Sequence, residues 1–80
     1  MHELGLAQSI FEIVRTYVPA EQAPGVREVR IRVGEVANVL VESLEFCFGV
    51  TVAGTPYDKA VLKVERVPGH DMQVVDVEVE

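Results

Sequence analysis

A chain of 80 residues makes one domain, and at this length folding buries only about 60–65% of the surface that the unfolded chain exposes, so support from a second copy, a homodimer, is in prospect. A formal charge of −6 disfavours nucleic acid and anionic membranes and mildly favours cations. An apolar content of 49% marks a globular sequence, yet no apolar run approaches the roughly 20 residues a bilayer requires.

The chain opens "MHELGLAQSIFEIV". Leu4, Ala7, Ile10, Phe11, Val14, Tyr17 and Val18 recur at helical spacing, which predicts an amphipathic helix over residues 3–18 that ends at Pro19. Glu3, Gln8, Ser9 and Glu12 interrupt the first turns, so nothing there marks export and a cytoplasmic location is expected. "VPAEQAPG", with two prolines and a glycine, reads as a loop.

In "VREVRIRV" Val29, Ile31 and Val33 alternate with Glu28, Arg30 and Arg32, the period of a strand with one face in the core and one in solvent. "GEVANV" is a turn-rich connection. "VESLEFCFGVTVAGT" is apolar nearly all round, as a well-buried helix would be, with Glu42 and Ser43 in position to cap its start and Gly54 its end. "AVLKVERV" and "MQVVDVEVE" alternate like strands, and the short "PGHD" between them predicts an antiparallel hairpin.

The order α-β-α-β-β describes a small α+β domain, a three-stranded sheet with two helices packed on it. A right-handed crossover would lay the first two strands parallel. Charge leaves the place of the third strand open. Its Asp76, Glu78 and Glu80 complement Arg30 and Arg32 of the first strand, so it could pair there instead of with the second.

Three features carry chemistry. The α-amine of Met1, the amide nitrogen of His2 and the His2 imidazole form fused chelate rings, and the amide of Glu3 or an outside donor completes a plane. All-nitrogen square-planar sites suit Ni(II) or Cu(II) rather than Zn(II) or Mg(II). His at position 2 is too bulky for ordinary removal of the initiator methionine, so the Met1 amine is expected to persist. Glu3 has a second role open to it, because a carboxylate in a helix's first turn is favoured by the helix dipole by about 0.3–1 kcal/mol. His70, in the final turn, is the only other imidazole and a candidate auxiliary donor, provided that turn and the start of the first helix lie at one end of the domain.

Cys47 is the sole thiol, which excludes an internal disulfide and a structural thiolate zinc site, and it reads as a small core hydrophobe. The sequence contains no phosphate loop or nucleophile elbow, and no enzyme is expected.

"MHELGLAQSI", "VRIRVGEVANVLVESLEFCF" and "VLKVERVP" together resemble the HypA/HybF family of hydrogenase nickel-incorporation proteins. The resemblance, read over the whole chain, implies a metallochaperone-like maturation factor for [NiFe]-hydrogenase that binds Ni(II) through the N-terminal amine, the backbone and imidazole of His2, and nearby donors, hence Met1, His2 and Glu3. It also implies protein partners: a HypB-like GTPase and the hydrogenase large subunit. The family carries a zinc-ribbon insert where this chain has only "PGHD", and "DMQVVDVEVE" resembles the strand that follows it. Residues 1–80 thus read as a nickel-binding domain without the zinc domain. The alternative is a ribbon-less interaction module that docks on the maturation machinery or the large subunit without delivering nickel. Gly5, Val36 and Val41 depart from the family's usual Ser, Leu and Pro.

Overall fold

The computed structural model describes residues 3–80. Helix α1, Glu3–Tyr17, buries Ala7, Ile10, Phe11 and Val14 of the expected stripe, with Val18 buried just beyond its end, while Leu4 and Tyr17 at its two ends are exposed. Pro19 ends it, and residues Ala20–Gly25 wind into a 3-10 turn with Pro24 inside it, where the sequence suggested a plain loop. Strand β1, Val26–Gly34, follows at once, with Val26, Val29, Ile31 and Val33 buried and Arg30 and Arg32 exposed. A second 3-10 turn, Glu35–Ala37, and Asn38 in the left-handed region (φ 58°) lead into helix α2, Val41–Val52. Strands β2, Val61–Val67, and β3, Met72–Val79, complete the α+β domain.

The sheet order is β2-β1-β3. β2 runs parallel to β1, with Ile31 opposite Val64, and β3 runs antiparallel to it, with Arg30 opposite Asp76. The expected β2–β3 hairpin is therefore corrected: residues 68–71 pass over the end of β1, and the strands on either side of them never pair. Two forces favour this order. β1 is the strand with most buried residues, so the central position covers it from both sides. Its arginines also need acids on both sides. Arg30 Nε donates to Asp76 at 2.7 Å, with Glu78 3.7 Å away, and Arg32 meets Glu65 at 3.2 Å. The Asp76 hydrogen bond and charge hold the Arg30 pKa above its ordinary value.

Both helices cover one face of the sheet and the ion pairs occupy the other. Phe48, Ile10, Ile31 and Leu44 are the largest side chains withdrawn from water, each contributing about 1.5–3 kcal/mol. α2 corrects two expectations. It buries only the stripe Leu44, Phe48 and Val52, leaving Phe46 and Val50 exposed and Cys47 half-buried against the core. Neither Glu42 nor Ser43 caps it: its N-cap residue is Leu40, which has no side chain able to do so.

Candidate metal centre

The residue that serves the start of α2 comes from α1. Glu3 Oε2 accepts the backbone N–H of Leu40 at 3.2 Å, the contact that a glutamate in a helix's own first turn makes in a capping box, supplied here from 37 positions away. The carboxylate thus sits close to the N-terminal ends of two helices, where the dipoles favour negative charge.

Three more contacts assemble the same end of the domain. Arg66 Nη2, at the end of β2, donates to the Val39 carbonyl at 2.9 Å. The Gly34 N–H donates to the Asp71 carbonyl at 2.8 Å, and the Val36 N–H to the Gly69 carbonyl at 3.0 Å. These two bonds seat residues 68–71 directly on the end of β1. The fit is close enough to require glycine, because a Cβ at position 34 would stand 2.2 Å from the Gly69 carbonyl oxygen and 2.7 Å from the His70 nitrogen.

The topology therefore brings Glu3 and exposed His70 to one end of the domain, the condition that His70 needed as an auxiliary donor. Met1 and His2, the centre of the chelate proposed from sequence, lie outside the described residues. Among the described residues no three His, Cys, Asp or Glu side chains cluster as metal ligands do, so Glu3 and His70 form no preassembled cage. Glu35, Glu42 and Asp71 add negative charge at this end against Arg66, a field that attracts cations. Leu4, Val36 and Leu40 are exposed here as well, by 47%, 62% and 66%.

Sequence reasoning missed Leu40 and Arg66, because each contact joins a side chain to a backbone group far away in the sequence: the Leu40 N–H to the Glu3 carboxylate and the Arg66 guanidinium to the Val39 carbonyl. The close approach at Gly34 did have a signal, a glycine at the end of a strand beside a second glycine-containing turn. Cys47 lies elsewhere, on α2, where its carbonyl accepts from the Thr51 hydroxyl. No helix among the described residues is long and apolar enough to cross a membrane.

The sequence of the chain is similar to those of known proteins. The model of a family described as hydrogenase/urease nickel incorporation, metallochaperone, HypA, matches residues 1–72, so the match stops where β3 begins rather than covering the whole chain. The hydrogenase maturation factor HypA of Desulfosudis oleivorans is 42% identical over 69 residues, covering 85% of this chain and 60% of the relative. That of Streptomyces avermitilis is 43% identical over 72 residues, covering 86% and 53%, and that of a Nostoc species is 33% identical over 69 residues, covering 86% and 58%. The chain spans a little over half the length of these curated relatives. With nine-tenths of its residues inside the family match and its α1 leader among them, the chain belongs to the HypA family of hydrogenase/urease nickel-incorporation metallochaperones.

Proposed function

We propose that this chain carries Ni(II) at its leader during maturation of a [NiFe]-hydrogenase, bound by the Met1 amine, the His2 amide nitrogen and imidazole, and the Glu3 amide. The observation that carries the reading is the anchoring of Glu3 to Leu40. A carboxylate engaged at the start of α2 favours the amide nitrogen as Glu3's donor. The first N–H groups of a helix have no intrahelical acceptor, so using that nitrogen breaks no helical hydrogen bond. Glu3 in this account positions the leader, holding its point of attachment at the end of the domain that also carries the 68–71 connection and His70.

The nickel is cargo, received from or passed to a protein partner such as a HypB-like GTPase or the hydrogenase large subunit. An open, four-nitrogen leader suits transfer, since no buried cage has to open to release the ion. His70 enters as an auxiliary donor from the adjacent connection, and its neutral imidazole nitrogen is the atom that ligates.

A second reading is favoured by exposed Leu4, Val36 and Leu40, which leave apolar surface at the end of the domain where α1 begins: the chain docks on the maturation machinery or the large subunit without delivering nickel. Titration with Ni(II), followed by incubation with nickel-free large subunit, separates the two. Delivery predicts one Ni(II) per chain, its loss in His2→Ala, a weaker complex in His70→Ala, and transfer of nickel to the subunit. Tight docking of His2→Ala and parent alike, with no nickel moved by either, would establish the second reading.

A further inference from the structure

The two outer edges of the sheet are built differently. Along β3 the pairing with β1 shifts register between Arg30 and Ile31, opposite Val75, and again between Val26 and Glu28, and the strand carries Asp76 and Glu78. Bulges and charges of one sign are how natural sheets blunt an edge against further pairing. β2 has neither device. Its residues 61–67 keep an unbroken register with β1, contain no proline or glycine, and have no strand on their outer side among the described residues.

The charges on β2 are self-complementary. Leu62 is buried toward the helices, while Lys63 and Glu65 are exposed on the open face, where Glu65 meets Arg32. Lys63 has no ion pair among the described residues.

We propose that β2 pairs with β2 of a second copy of this chain, antiparallel and centred on Val64, around a two-fold axis perpendicular to the sheet. In this register Lys63 lies opposite Glu65 of the second copy, and the symmetry makes the pair twice. Val61 lies opposite Val67, so the row on the open face reads apolar, charged, charged, apolar from either end. Neighbouring symmetric registers are disfavoured, since centring on residue 63 opposes two lysines and centring on 65 opposes two glutamates. The interface is isologous and therefore closes at two copies.

The helix face accommodates the same axis. A groove of about 250 Å³ runs between Glu45 and Gly49 of α2 and Val61 and Lys63 of β2, and a Cβ at Gly49 would meet nothing within 4 Å. Next to it on α2, Phe46 is 73% and Val50 54% exposed, apolar surface that the α2 of a second copy is brought to face. The antiparallel pairing sends the two leaders to opposite ends of the dimer, so neither copy completes the other's metal site. Dimerisation is then independent of nickel.

Sedimentation equilibrium across a concentration series tests this. The parent is expected to approach twice its 8.8 kDa mass, with or without Ni(II). Lys63→Glu sets Glu against Glu twice and Glu65→Lys sets Lys against Lys twice, each weakening the dimer by at least about tenfold. The double exchange restores both pairs and recovers most of the affinity. Glu65→Lys and the double variant both lack the Arg32 ion pair, so comparing them isolates the contact across the axis, and circular dichroism verifies that each variant is folded. A parent that stays monomeric, single variants that dimerise as tightly as the parent, or a double variant no better than the singles would overturn the proposal.

Discussion

The two ends of the domain are held by different means. At the end away from the leader the Tyr57 hydroxyl, buried, donates to the Val18 carbonyl at 2.8 Å, and the Phe11 and Tyr57 rings meet edge to face at 5.3 Å. The chain's last residue is fastened there too: the Glu80 N–H donates to the Gly25 carbonyl at 2.7 Å, and its carboxylate pairs with Arg27. At the leader end the contacts are backbone bonds between loops, one carboxylate on one N–H, and one arginine on one carbonyl, with Leu4, Val36 and Leu40 left in water. One end is closed by packing. The other is shaped by polar contacts that fix geometry while leaving the surface open, which suits the proposed role of the leader.

Substitutions at the two ends should separate these roles. The largest effect is expected at Gly34→Ala, whose Cβ would drive into the backbone of Gly69 and His70. Displacing either segment costs about 3 kcal/mol or more, read as a fall in melting temperature of roughly 12–24 °C. A melting curve within a few degrees of the parent would show that the 68–71 connection is not seated as described. Tyr57→Phe comes next. It leaves the buried Val18 carbonyl without its hydroxyl partner, for about 1–2 kcal/mol, and nickel binding should not change. Glu3→Ala is the smallest in stability, about 0.5–1 kcal/mol, but it should raise amide exchange at Leu40 specifically. Exchange at Leu40 that is equally protected in parent and variant would separate Glu3 from the start of α2.

Much of this architecture was legible in the sequence. The period of α1 and the alternation of β1 follow from which side chains leave water, a local property, and the structure reproduces both. The place of β3 was legible only through charge: arginines on β1 and acids on β3 pointed to the order found, against the hairpin that the short "PGHD" suggested. A short connection limits where a chain can go next. It does not decide whether the chain turns back beside its own strand or steps over the end of another. α2 was misjudged for a related reason, since an apolar residue at every angle does not tell which stripe finds the core, and Phe46 and Val50 lost that competition to Leu44, Phe48 and Val52.

The candidate site divides in the same way. Met1, His2 and Glu3 attract notice because an amine, an amide and an imidazole stand next to one another in the chain. What Glu3 does with its carboxylate could not be seen there, since its partner at Leu40 is 37 positions on and is a backbone N–H that any residue would offer. The shared location of His70 and α1's first turn likewise follows from the sheet order and not from any motif.

The central claim is that the free terminus itself is the ligand, and an extension of four residues before Met1 tests it most directly, because one added residue would only shift the histidine to position three, where a free amine, two amides and an imidazole again make a square-planar site. The extension displaces the α-amine from the His2 chelate and changes none of the contacts among residues 3–80. Ni(II) titration of the two proteins, followed by visible absorption, is expected to give the parent one equivalent with the band of a square-planar nitrogen complex. The extended chain, equally folded, should lose both the band and the stoichiometry. An extended chain that binds one Ni(II) with the parent's affinity and spectrum would contradict the account.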